Sequence, residues 1–160
     1  EHDLAAAVIR EFSPEKTVIP ADEVLNAFLE QALPQAGRVL FCSGQEFQPL
    51  WEGAAVETLF SEEGSCTLLA VDGVTVLICG RGCPIEAVPL SWRSPDLFVC
   101  SELPEDAALL RPALTVLSMS AETAAETIAN APAGTYAATG AEGDLIFDVS
   151  GGRVKIRKGH

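Results

Sequence analysis

Apolar residues recur at helical spacing near the start of the chain. Leu4, Ala5, Val8, Ile9 and Phe12 predict an amphipathic helix over about residues 3–12. Pro14 stops it, and Lys16 to Ile19 reads as a short strand. Pro20-Ala21-Asp22 is expected to open a second helix with Val24, Leu25, Phe28, Leu29 and Leu33 on one face. Pro34 and Gly37 end that helix, and Arg38 to Cys42 (RVLFC) reads as a buried strand. This β–α alternation points to a layered sheet with helices packed on it.

The pattern then becomes strand-like. Ala55 to Phe60 is a strand, and the runs Cys66–Val71 and Val74–Cys79 flank Asp72-Gly73. Asp-Gly between two apolar runs is the strongest short hairpin signal, because both turn positions need positive φ. A loop rich in glycine and proline follows, Gly80 to Pro89, and then a strand at Asp96–Cys100. Residues 104–110 read as a short helix or turn, and Leu114–Ser118 as a buried strand. Ser120 is placed to cap a helix running to about Asn130, with Glu122 and Glu126 near its start. Strands at 134–139, 144–149 and 153–157 finish the chain, the last two as a hairpin around Ser150-Gly151-Gly152. There is no internal repeat or linker, so residues 1–160 are expected to form a single domain of mixed α/β (α+β layered) class.

Composition narrows the chemistry. With 48% hydrophobic residues and a mean hydropathy of +0.25, the chain is too apolar for a disordered segment. No apolar stretch approaches the roughly 18 residues needed to span a bilayer. There are 10 basic and 23 acidic side chains, a net charge of −13. Arg153, Lys155, Arg157 and Lys158 supply four of those positives. Residues 1–152 therefore set six against all 23 acids, or −17. A surface of that sign repels nucleic acid, and the basic final strand is the one place for contact with a polyanion. The plainer reading of that strand is a charged edge that discourages sheet-to-sheet association. With no Met at position 1, the chain reads as a piece of a longer protein.

The only histidines are His2 and His160, which excludes a histidine-rich metal site and an internal histidine base. Five cysteines, Cys42, Cys66, Cys79, Cys83 and Cys100, fall mostly in or beside apolar runs and read as small buried hydrophobes. Their odd number and scattered spacing make no disulfide framework. Cys79 and Cys83 are close enough in sequence to consider a bridge, and C-x-x-x-C alone is a poor zinc site. Gly80-Arg81-Gly82 lacks the lysine and spacing of a phosphate-binding loop. Ser43-Gly44 follows a strand as a nucleophile would, but has no histidine to activate it. The carboxylates single out no catalytic pair, and Trp51 and Trp92 read as isolated packing residues.

Taken in order, residues 54 to 158 resemble the C-terminal half of the metallo-β-lactamase-like domain of ComEC-type DNA-internalization competence proteins. Residues 65–81, SCTLLAVDGVTVLICGR, look like the hairpin that ends in L-L-T-G-D in that family. Pro95-Asp96-Leu97-Phe98-Val99-Cys100 looks like its A-D-V-L-K-V strand. Leu114 to Ser120, LTVLSMS, is similar to A-V-I-S-V-G with a helix after it. Thr135-Tyr136-Ala137-Ala138-Thr139, Glu142-Gly143-Asp144-Leu145-Ile146-Phe147 and Gly152-Arg153-Val154-Lys155-Ile156 look like the closing V-Y-R-T…D-G-x-I…G…V-x-I. More loosely, Glu1-His2-Asp3-Leu4, a helix and Thr17-Val18-Ile19-Pro20 are similar to D-H-x-G-G-L, helix, V-V-x-P.

The resemblance implies an αββα sandwich, here its C-terminal portion, with mixed sheets flanked by helices. It also implies where ligands are missing. The aspartate of T-G-D, which bridges two metals in the family, falls on Arg81. The P-H-H-G segment falls on Ser101-Glu102-Leu103-Pro104. A guanidinium repels a dication, so the expectation is a degenerate domain without metal or cofactor and without catalytic residues. It would be tethered to the transmembrane segments of a bacterial DNA-uptake protein, on the extracytoplasmic side. There it would act in assembly or gating against the membrane channel portion of the same protein and other competence proteins. Direct DNA contact would be confined to the basic strand. Two other readings stay open: an active zinc- or manganese-dependent nuclease whose H-x-H-x-D-H half precedes Glu1, and an unrelated acidic α/β protein-binding module, including one that only dimerises.

Overall fold

A computed structural model describes residues 2–21, 23–42, 44–61 and 64–158. Two compact units make up the chain, Glu1–Gly44 and Gln45–His160.

In the first unit, helix α1 (His2–Phe12) is followed by strand β1 (Lys16–Pro20), helix α2 (Ala27–Ala32) and strand β2 (Arg38–Cys42). β1 and β2 pair in parallel. Ala6 and Ile9 of α1 pack with Leu29, Ala32 and Ala36, so small residues let the two helices approach closely. The second helix starts later than the sequence suggests. Asn26 caps it, its side-chain oxygen accepting from the Leu29 N–H at 2.9 Å, and its amide also donates to Asp3 at 3.0 Å. Residues 23–26 are therefore not helical. Val24 does not join the buried face and is 87% exposed, and Phe28 on the helix is 57% exposed. Asp22, expected to open the helix, lies outside the described residues.

The second unit is a seven-stranded mixed sheet: β3 (Gly44–Trp51), β4 (Ala54–Ser61), β5 (Gly64–Val71), β6 (Val74–Cys79), β7 (Leu97–Cys100), β8 (Leu114–Ser120) and β9 (Tyr136–Ala138). The strands lie side by side in that order. β4, β5 and β6 form an antiparallel meander, and β6 to β9 are parallel. The Asp72-Gly73 turn is as read, with both residues at positive φ (48° and 81°), the geometry that suits a two-residue hairpin. β3 was not legible as a strand. Its polar residues and Pro49 weaken the pattern, and proline is tolerated only because β3 is an edge strand.

Parallel strands must be covered on both faces. On one face, Leu77, Phe98, Leu117, Ile85, Val88 and Trp92 form the main core with Ala124 of helix α3 (Ala121–Asn130). Ser120 caps α3 as anticipated, accepting from the Thr123 N–H at 3.3 Å. On the other face, Leu97, Leu114, Val116 and Ala137 are covered by Leu145, Phe147 and Val154. These come from the antiparallel hairpin of β10 (Leu145–Ser150) and β11 (Arg153–Lys158). Its turn docks on the first hairpin's turn, the Gly152 N–H donating to Asp72 O at 2.9 Å. The expected class holds: a layered mixed α/β fold with a large mixed sheet and helices packed on it.

A short helix, α4 (Thr139–Glu142), begins at Thr139, the last residue of the strand expected over 134–139. Gly140 in it sits against the β8–α3 junction, where a Cβ would stand 2.4 Å from Ala121 N and from Met119 O. Two substitutions test this packing by urea denaturation. Leu77→Ala removes a fully buried side chain and is expected to cost about 2–5 kcal/mol. Gly140→Ala is expected to cost about 1–3 kcal/mol by overpacking backbone against backbone. A change under about 0.5 kcal/mol for either would contradict the arrangement.

Candidate functional site

Strands β6 and β7 pair in parallel with Cys79 opposite Cys100. Their continuations, Gly80-Arg81 and Ser101-Glu102, therefore leave the sheet side by side. The carboxyl ends of parallel strands are where α/β sheets hold ligands. Gly82 turns the first loop with φ 79°. The loop then folds back over Gly64, where a Cβ would lie 2.8 Å from Cys83 N and 3.0 Å from Arg81 O. The cleft left between the loops measures about 430 Å³ and is lined by Cys83, Glu86, Glu102, Glu105 and Asp106, among others.

The positions singled out from sequence meet here. Arg81 Nε lies 3.3 Å from Glu102 Oε2, with the two side chains 77% and 63% exposed. Ser101 is exposed, and Leu103 is half-buried against the main core. Asp106 Oδ2 accepts from the Glu86 N–H at 2.9 Å. Arg93 donates to Glu86 O at 2.9 Å and to Val88 O at 3.0 Å, pinning the loop wall. A dinuclear metal centre does not fit these residues. Where the resemblance would put a bridging carboxylate stands the Arg81 guanidinium, which is paired with Glu102. Among the described residues, no group of three or more His, Cys, Asp or Glu side chains is placed to hold a metal ion.

Behind the cleft lies an array of thiols that sequence reading did not assemble. Cys66, Cys79 and Cys100 stand opposite one another across β5, β6 and β7. All three belong to the main core together with Cys83, and the four are free thiols. Cys66 Sγ is 2.7 Å from Cys79 Sγ and 2.9 Å from Cys83 Sγ. Cys79 and Cys83, the pair considered from sequence, are thus both neighbours of Cys66. Hydrogen bonds with Cys66 and Cys79 lower the Cys83 thiol, against burial and the Asp106 carboxylate. The bond to Cys79 pulls Cys66 down, but the bond to Cys83 and burial outweigh it and push Cys66 up to about 12. Cys79 is raised by its bonds to Cys66 and Cys83 and by burial. Burial alone pushes Cys100 up to about 12.

The other sequence candidates lie elsewhere. Arg153, Lys155 and Arg157 alternate along β11, and Arg157 grips Asp148 at 2.5 and 2.8 Å. That hydrogen bond and charge hold the Asp148 carboxyl below its usual range. The Lys158 side chain and His160 lie outside the description, as does Ser43. Trp92 is buried at 3% exposure, whereas Trp51 at the end of β3 is 63% exposed. No family model, curated protein or solved structure matches the chain.

The Arg81–Glu102 pair is open to water, so its contribution to stability is small. A double-mutant cycle of Arg81→Ala and Glu102→Ala is expected to give a coupling of about 0.2–1 kcal/mol that shrinks as salt is raised. A salt-independent coupling above about 2 kcal/mol would show instead that the pair holds the cleft together.

Proposed function

We propose that the chain is a metal-free, non-catalytic metallo-β-lactamase-like domain of a ComEC-type DNA-internalization protein. It serves as a docking or gating element of a bacterial membrane uptake machine on the extracytoplasmic side. The observation that carries this reading is the Arg81–Glu102 ion pair at 3.3 Å. It occupies adjoining strand ends at the positions where the resemblance calls for metal ligands. Element order supports the same reading: an antiparallel hairpin, parallel β7 and β8, helix α3, parallel β9 and a closing hairpin.

Charge indicates the kind of partner. Glu86, Glu102, Glu105 and Asp106 line the cleft on a chain of net charge −13. Phosphates are repelled from such a surface, while a basic protein segment is drawn to it. The partner is therefore protein: the membrane channel portion of the same molecule or another competence protein. Contact with DNA is limited to β11, where Arg157 is already engaged by Asp148. Among the described residues no helix is long and apolar enough to cross a membrane, so in this reading the tether belongs to other segments of the protein.

Metal analysis and a nuclease assay on the full-length protein test the proposal. The expected result is no stoichiometric zinc or manganese and no chelator-sensitive cleavage of single-stranded DNA. Retention of two metal ions per protein, with cleavage abolished by chelator, would overturn it in favour of a two-metal nuclease. A filter-binding assay of the chain with single-stranded DNA is expected to show weak, salt-sensitive retention, further reduced by Arg153→Ala with Lys155→Ala. Retention untouched by that pair would place the DNA contact elsewhere.

A further inference from the structure

The three convergent thiols sit where the β5–β6 hairpin meets the loop that follows it. The Gly80 N–H donates to Ser65 O at 2.8 Å, so Ser65 and Gly80 form a hydrogen-bonded pair. The next pair along, Cys66 and Cys79, is then of the non-hydrogen-bonded kind, with Cα atoms about 4.5 Å apart and side chains close. That is at the short end of the roughly 4.4–6.8 Å a disulfide spans. Cys83 arrives from the loop that follows β6, because Gly64 lets the loop backbone close over β5. Cys66 therefore faces two sulfurs, at 2.7 and 2.9 Å, each within about 1 Å of bonding distance. Two thiolates on a tetrahedral zinc would stand roughly 3.8 Å apart, given Zn–S bonds of about 2.3 Å, so the spacing suits a disulfide better than a metal.

Access is asymmetric. Cys66, Cys79 and Cys83 are 0%, 4% and 3% exposed, and Cys83 is the one that lines the cleft. The same cleft carries Glu86, Glu102, Glu105 and Asp106, with Arg81 held by Glu102 and Arg93 bonded to the carbonyls of Glu86 and Val88. We propose that Cys83, Cys66 and Cys79 form a thiol–disulfide exchange site that opens on this acidic cleft and accepts small cationic disulfides, with Cys83 as the entry thiol and Cys66 as the resolving one.

The exchange balances in two steps. The Cys83 sulfur, as thiolate, attacks one sulfur of the disulfide RS–SR. A Cys83–SR bond forms, the RS–SR bond breaks, and RS⁻ leaves and takes up the proton that Cys83 gave. Cys66 then loses its proton and attacks the Cys83 sulfur, forming Cys66–Cys83 and releasing the second RS⁻ as RSH. The protein loses two electrons and two protons, and one RS–SR becomes two RSH. Cys79, also 2.7 Å from Cys66, can lose its proton and attack Cys66 in turn, giving Cys66–Cys79 and releasing the Cys83 sulfur, which takes up that proton. Every bridged product contains Cys66, and the Cys66–Cys83 form ties the cleft wall covalently to β5.

The site does not depend on the functional reading above, because thiol mapping and metal content are separate measurements. The test uses the chain carrying Cys42→Ser, treated at low salt with cystamine, a dication, or with oxidised glutathione, an anion. Non-reducing peptide mapping is expected to find one bridge per chain, Cys66–Cys83 or Cys66–Cys79, with Cys100 still a free thiol. Cystamine is expected to react at least about tenfold faster than oxidised glutathione, with the difference collapsing at high salt. Adding Cys66→Ser is expected to stop the reaction with one cysteamine on Cys83. If that variant does not fold, the same adduct is expected to precede the bridge in a time course on the chain with Cys66 intact. A bridge that omits Cys66, modification of Cys100 as fast as Cys83, no bridge in the folded chain, or glutathione disulfide reacting as fast as cystamine would overturn the proposal.

Discussion

Strands β6, β7 and β8 are parallel neighbours with apolar side chains on both faces, and such strands are stable only when both faces are kept from water. The rest of the second unit follows from that requirement. Phe98, Leu77 and Leu117 look to one side, where α3 and the loop residues Ile85, Val88 and Trp92 cover them. Leu97, Leu114 and Val116 look to the other, where the β10–β11 hairpin lies. The connections that bring these covers into place leave from the strand ends. They thereby carry Arg81, Cys83 and Glu102 to one rim.

That rim joins two kinds of chemistry. Outward, it is an ionic surface, four carboxylates with Arg81 drawn onto Glu102 and Arg93 held by backbone carbonyls of the wall. Exposed pairs of this sort orient partners more than they stabilise the fold. Inward, it ends at Cys83 and the sulfur pair behind it. The thiols owe their contrast to the core, where the bond to Cys83 and burial raise Cys66 while its sulfur neighbours lower Cys83. The asymmetry between a charged entrance and a buried sulfur interior is thus a product of packing.

Much of this was within reach of the sequence where the interactions are local. A two-residue Asp72-Gly73 turn sets the ladder of its hairpin, and counting back from Val71 opposite Val74 puts Cys66 opposite Cys79. That pairing was therefore present in the sequence, though spacing along the chain drew attention to Cys79 and Cys83 instead. Ser120 was legible as a cap because capping needs only the next three residues. The second helix starts later than its pattern predicts because proline and aspartate at 20–22 are good openers, yet Asn26 is a competent cap closer to the apolar residues. β3 and α4 carry no periodic signal of their own. One is an edge strand with Pro49, and the other is four residues long.

By itself, then, the sequence determined the acidic charge, the near absence of histidine, the register of the Asp72-Gly73 hairpin and the order of most elements, all of which follow from composition or from contacts a few residues apart. Only the tertiary structure decided that Arg81 meets Glu102, that Cys83 returns to Cys66 over Gly64, and that the final hairpin rests on the turn at Asp72. These meetings join distant segments. They are fixed by the need to cover both faces of the parallel strands, a requirement of the whole fold that no local pattern encodes.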